Sequence, residues 1–167
     1  MKKLIVLPLL LLSIMGWSQT SAEDYFDLAM KKTEAGNSQA AISDYDKAIE
    51  LRPDFGEAYL NRSLEKIKTE DFTGALNDVN KSLEIHDDNN YAYTTRANIY
   101  YKLKNYDAAL SDCNVAIKNN SGDAISYNLR GLINTHLKDK KSACADFTKA
   151  VQLGSKSAAQ NLKTFCK

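Results

Sequence analysis

Between Ala41 and Leu51 the apolar residues fall at steps of three and four, at Ala41, Ile42, Tyr45, Ala48, Ile49 and Leu51. That is the spacing of one buried stripe on an α-helix. The spacing returns through Leu76, Val79, Leu83 and Ile85, and the whole stretch recurs with it. SDYDKAIELRP from Ser43 comes back as NDVNKSLEIHD from Asn77, SDCNVAIKNNS from Ser111 and ADFTKAVQLGS from Ala145, each 34 residues after the last. A fixed period of this size marks one supersecondary unit that cannot bury its apolar face alone and stacks on its neighbours. Each unit reads as two antiparallel helices. Breaks within units fall at Gly36-Asn37, Glu70-Asp71, Lys104-Asn105 and Lys138-Asp139, where Gly, Asn or Asp supplies a turn or a cap. Breaks between units fall at Arg52-Pro53-Asp54, His86 to Asn89, Asn119 to Asp123 and Gly154-Ser155, and Pro53 cannot sit inside a helix.

Four columns keep the interval: the tyrosines 25, 59, 93 and 127, the alanines 41, 75, 109 and 143, the aspartates 44, 78, 112 and 146, and the small residues Ala48, Ser82, Ala116 and Ala150. Alanine lets two helices approach closely, and the tyrosines are expected to fill the space across from it. A further small residue stands at Ala29, Ser63, Ala97 and Gly131, and a large or apolar one at Tyr45, Val79, Cys113 and Phe147. With the period of 34 and Pro53, this set resembles the tetratricopeptide repeat over Ala22 to about Gly154. Only the first copy keeps the Pro, and Lys32 stands where that family prefers a large apolar side chain.

The resemblance implies an all-α, right-handed α-solenoid of four helix pairs, residues 22–55, 56–89, 90–123 and 124–154 within a domain of 19–154. Residues 155–167 then form a ninth, capping helix over the apolar end of the last pair. It also implies a groove lined by the first helix of each pair. Its candidates are Phe26, Asp27 and Met30; Leu60, Asn61, Leu64 and Lys68; Tyr91, Thr94, Thr95, Asn98, Tyr101 and Lys102; Ile125, Asn128, Leu129, Leu132 and His136. Amides bond a peptide backbone and tyrosine gives stiff contact area, so Asn98, Tyr101, Lys102 and Asn128 are the foremost of these. The function implied is a scaffold for an extended protein segment or a partner helix, with a structural subunit of an envelope assembly, binding through its ends or convex face, as the alternative. An exposed apolar end at Tyr25 and Phe26 would favour that alternative. A clamp for a C-terminal carboxylate is not expected, since Phe26, Met30, Tyr91 and Thr95 stand where such domains carry Lys, Asn or Arg, and only Asn61 fits.

The opening of the chain follows another logic. Lys2 and Lys3 precede an apolar run through Leu12, Ile14 and Met15, and Gly16-Trp17-Ser18 offers small residues before Gln19. These are the three parts of a secretory signal peptide, residues 1–18. The run is shorter than the roughly 20 residues of a spanning helix. An exported chain, periplasmic or secreted, without membrane insertion after cleavage, is the expectation.

Lys and Arg number 22 against 21 Asp and Glu, so no nucleic-acid footprint stands out in the chain as a whole. Arg62, Arg96 and Arg130 share the period of 34 and invite pairing with the aspartates, either within a copy (Arg62 with Asp78) or across a boundary (Arg62 with Asp44). Either choice leaves one of Asp44, Asp78, Asp112 and Asp146 over. Such pairs are expected to fix the register of stacked helices. Of the three cysteines, Cys166 approaches Cys144 if the last helix runs back antiparallel to its neighbour, giving a disulfide that closes about 22 residues, worth about 3 kcal/mol. Cys113 holds a core position. His86 and His136 lack the company a metal site needs, and no phosphate loop or activated nucleophile is legible. Neither an enzyme nor a cofactor is expected.

Overall fold

The computed structural model describes residues 20–167; the expected signal peptide lies outside them. Among the described residues there are nine helices and no strand: α1 (Ala22–Glu34), α2 (Ser38–Leu51), α3 (Gly56–Lys68), α4 (Phe72–Ile85), α5 (Asn90–Lys102), α6 (Tyr106–Asn119), α7 (Ala124–His136), α8 (Lys140–Gln152) and α9 (Lys156–Phe165). The helices pack as the pairs α1/α2, α3/α4, α5/α6 and α7/α8, followed by α9, in an all-α solenoid. Odd helices approach the next odd helix from α3 to α9, while even ones do not approach each other, so the stack curves with the odd layer inside.

The turn inside each pair is one device used four times. Its first residue, Gly36, Glu70, Lys104 or Lys138, takes the left-handed conformation, with φ between 60° and 73°. The next residue, Asn37, Asp71, Asn105 or Asp139, caps the second helix by accepting from a backbone N–H of its first turn. Only the first copy gives the left-handed place to glycine, the residue that adopts it without strain.

The core comes as a series of clusters along the stack, as nearest-neighbour packing requires. Ala41, Ala75, Ala109 and Ala143 are wholly buried. The four tyrosines are half-buried, each with a cation over its ring: Lys47 over Tyr25, Arg62 over Tyr59, Arg96 over Tyr93 and Arg130 over Tyr127, at 5.1 to 5.5 Å from the ring centre. A sharper fit of small to large is at Gly131, where a Cβ would stand 2.6 Å from the fully buried Phe147 ring.

Both ends of the stack are closed. Positions that bury Ala58, Ala92 and Ser126, and Glu65, Ile99 and Ile133, against the preceding pair hold exposed Asp24 and Lys31 in the first copy. Tyr25 and Phe26 do not form an exposed apolar end. Phe26 stacks on Phe55 at 4.8 Å and meets Tyr45 edge-on. At the other end α9 takes the place of a further first helix, burying Ala158 and laying Phe165 against Phe147 at 6.1 Å. Cys144 and Cys166 are joined by a disulfide, and Cys113 is a buried free thiol whose pKa burial pushes up to about 12.

Candidate functional site

The inner layer holds a cleft of about 290 Å³ between α3, α5 and α7. Leu64, Ile125, Leu129 and Leu132 give it apolar walls, and Tyr91 and Ile125 stand at its mouth, 50% and 61% exposed. Polar groups enter at Thr94, Thr95, Asn98 and Asn128. They reach one surface because a helical period brings steps of three, four and seven to one face, and the 34-residue repeat sets equivalent faces side by side.

Their hydrogen bonds differ. The Thr94 hydroxyl lies 2.7 Å from that of Ser126 and also donates to the Asn90 carbonyl, so it serves the joint between α5 and α7. Asn128 Oδ1 accepts from Asn161 Nδ2 of α9 at 2.9 Å, which turns its NH₂ outward for other use. The half-buried Asn98 amide makes no hydrogen bond among the described residues and lies between Leu64 and Leu132 in the cleft lining. Its amide atoms stay open to solvent and can exchange water for a ligand's donor and acceptor.

Nine groove candidates are not in this cleft: Phe26 and Met30 pack on the first core cluster, Leu60 is buried in the second, Asp27 is exposed on α1, and five others find different places. Asn61 donates from Nδ2 to the Glu57 carbonyl of its own helix, 2.9 Å away. Lys68 pairs with the buried Glu65 at 2.6 Å. Tyr101 and His136 bond each other, Oη to Nε2 at 3.0 Å, and His136 stacks on Tyr106 at 4.7 Å; burial raises the Tyr101 pKa. Lys102 ends α5, exposed at the turn. Each of these five lies beyond the middle of its helix or bonds to a neighbour three or four residues back, where local partners compete for it.

The arginines build a second feature, on the other side of the pairs. Each sends two bonds to the aspartate 16 residues on and a third to the residue 16 back. Arg62 reaches Asp78 at 2.8 and 2.6 Å and Asp46 at 2.7 Å. Arg96 reaches Asp112 at 2.8 and 2.9 Å and Asn80 at 2.9 Å. Arg130 reaches Asp146 at 3.0 and 2.7 Å and Asn114 at 2.8 Å. One guanidinium therefore ties α3, α5 or α7 to the second helix of its own pair and of the pair before. The bonds to Asp112 and Asp146 raise the pKa of Arg96 and Arg130; at Arg62 burial opposes the charge, and the bonds to Asp78 and Asp46 outweigh it. The pairing across a boundary goes to Asp46, Asn80 and Asn114, not to Asp44. Asp44, left without an arginine because Leu28 holds that place, takes Lys32 Nζ instead. The side chain that departs from the repeat pattern is thus the one that neutralises the unmatched carboxylate. The aspartates are buried and the guanidinium planes are filled on three sides, an arrangement suited to register and not to a ligand.

Among the described residues no group of His, Cys, Asp and Glu is placed to hold a metal ion, and no helix is long and apolar enough to cross a membrane. The family model of the tetratricopeptide repeat matches residues 22–55, 60–124 and 94–158. The chain belongs to the tetratricopeptide repeat family. Solved structures share the fold at low identity. MamA residues 41 to the end from Desulfovibrio magneticus RS-1 is 19% identical, with a TM-score of 0.75 over 81% of this chain and 76% of that one. Pseudomonas aeruginosa pilF is 19% identical, with a TM-score of 0.79 over 86% and 67%. A chain of the APC/C hetero-tetramer Cut9-Hcn1 is 18% identical, with a TM-score of 0.81 over 88% and 30%. No curated protein matches. Tetratricopeptide repeat proteins are in general non-enzymatic scaffolds that bind other proteins, and this chain has their fold.

Proposed function

We propose that this tetratricopeptide repeat protein binds an extended peptide, or one face of a partner helix, in the cleft between α3, α5 and α7. The observation that carries the reading is the Asn98 amide, half-buried and unpartnered between leucines. A passing peptide backbone supplies a donor and an acceptor to such an amide, and its apolar side chains fill the space around Leu64, Leu129 and Leu132. Tyr91 and Ile125 then close over it. Exposed Asp24 and Lys31 on the outer face of the first pair, and the cover that α9 gives the last, speak against assembly through the ends. Export ahead of Gln19 belongs to the same proposal, and a bridged cysteine pair suits an oxidising compartment.

The test is a display selection of random peptides on residues 20–167, repeated on a variant carrying Asn98→Leu and Leu132→Glu. Peptides from the first selection should bind the variant at least about tenfold more weakly, a change of about 1.4 kcal/mol. Equal affinity for a folded variant would place binding outside the cleft.

A further inference from the structure

The near-zero net charge conceals a separation along the stack. Residues 20–89 carry 16 Asp and Glu against eight Lys and Arg, while residues 90–167 carry five against 12. Residues 20–89 thus hold a formal charge of −8 and residues 90–167 one of +7. In the second half the ion pairs among the described residues are Arg96–Asp112 and Arg130–Asp146, so its lysines are left without acidic partners.

Six of those lysines share one edge. The α5–α6 turn carries Lys102 and Lys104, and the α7–α8 turn with the start of α8 carries Lys138, Lys140 and Lys141. These two turns touch, since Tyr101 bonds His136 and Tyr106 stacks on it. The chain end after α9 joins them with the sixth, Lys167. The Cys144–Cys166 bridge brings it to the start of α8, Lys140 Nζ donates to the Lys167 carbonyl at 2.7 Å, and Lys138, Lys140 and Phe165 line one cleft. Against the six lysines stand Asp107 and Asp139, the latter engaged in capping α8. Between the lysines, exposed apolar side chains point outward: Leu103 at 45%, Leu137 at 38% and Phe165 at 41% exposure. Lys104 and Lys138 also hold the left-handed turn position that Gly36 fills without strain in the first copy.

We propose that this edge docks the protein on an anionic lipid bilayer. Lysines interleaved with exposed leucine and phenylalanine on one rim fit a surface that offers phosphates above hydrocarbon. An acidic protein segment or a nucleic acid would match the charge but give three isolated apolar side chains nothing to enter. None of the residues lining the α3–α5–α7 cleft belongs to the edge, so a docked protein keeps that cleft open. The proposal stands independently of what the cleft binds.

The experiment is vesicle co-sedimentation of residues 20–167, which contain all the core clusters described above, with phosphatidylcholine alone and with phosphatidylcholine mixed with phosphatidylglycerol. Binding is expected only to the mixed vesicles and should fall as salt rises. A variant with Lys102, Lys104, Lys138 and Lys141 each changed to Glu should lose it, at about fivefold or more per lysine. Glu70 shows that the turn position accepts Glu, and circular dichroism checks the fold. Lys118→Glu with Lys149→Glu, which changes charge at the opposite edge, should leave binding within about threefold. Leu103→Ser with Leu137→Ser should weaken it about tenfold at unchanged salt dependence. Equal binding to both vesicle types, or equal loss in the opposite-edge variant, overturns the proposal. So does binding that ignores the leucines, or binding to polyglutamate in place of vesicles, because any polyanion would then serve.

Discussion

Arg96→Met tests the tie between pairs at the centre of the array. Arg96 gives Asp112 two charge-assisted hydrogen bonds, at 2.8 and 2.9 Å, and Asp112 is 5% exposed. Its third group holds Asn80 of the preceding pair at 2.9 Å. Removing the guanidinium strands a buried carboxylate, which costs about 3–5 kcal/mol. The lost bond to Asn80 adds about 1 kcal/mol. With a urea slope of about 2 kcal/mol per molar, the unfolding midpoint falls by about 2–3 M. Replacing both partners, Arg96→Met with Asp112→Leu, removes the stranded charge and should recover at least about half of the loss. Urea unfolding followed by circular dichroism measures all three chains. A single variant that loses less than about 1 kcal/mol, or a double variant no more stable than the single, would refute the account of the ladder.

The first copy permits the converse. Lys32→Leu restores the apolar residue preferred in the family yet should destabilise by about 2–4 kcal/mol, because Asp44 loses the one cation that pairs with it among the described residues, and adding Leu28→Arg should restore most of it. Glu65 is fully buried and its Oε2 has no hydrogen-bond partner among the described residues, whereas Ile99 and Ile133 hold the equivalent positions; Glu65→Ile should raise the stability by about 1–3 kcal/mol in the same assay. Gly131→Ala drives a methyl into Phe147 and should cost about 1–3 kcal/mol, with Phe147→Val in the same chain relieving it, as Ser63 stands with Val79 in the second copy. Burial holds the Cys113 thiol protonated to about pH 12 in the folded chain, while the unfolded thiol ionises near 9. Above pH 9 the unfolded state therefore binds fewer protons, and stability should fall by up to about 1.4 kcal/mol per pH unit, a slope that Cys113→Ala removes.

The period of 34, the helix pairs and the four turns were legible because they rest on local rules: helical spacing, glycine or a polar residue at the left-handed position, and an Asn or Asp cap. Partner choice was not. Arg62 and Asp78 share a period whether they meet within a copy or across a boundary, and only the reach of the guanidinium shows that it spans both. Lys32 read as a departure from the pattern, yet Lys66 holds the same place in the second copy and bonds Asp78 at 2.8 Å beside Arg62; at Asp44 the lysine acts alone because Leu28 supplies no cation. Of the groove positions read from the repeat, Asn98, Asn128 and Leu132 line the cleft between α3, α5 and α7. Asn61, Lys68, Tyr101 and His136, which bond along the same helix or to the next turn, stand outside that cleft. Asn61 and Lys68 each have an acceptor within four residues, a local signal that could have removed them from the groove. The charge separation was open to counting, but only once the copies were counted apart.

The most direct test of the central claim is amide hydrogen exchange of residues 20–167 with and without a peptide taken from the display selection. The account predicts new protection confined to α3, α5 and α7 around Leu64, Asn98 and Leu132, and none of it in the Asn98→Leu, Leu132→Glu variant. Protection on α4, α6 and α8, or at α1 and α9 alone, would contradict it and move the binding surface to the convex face or the ends.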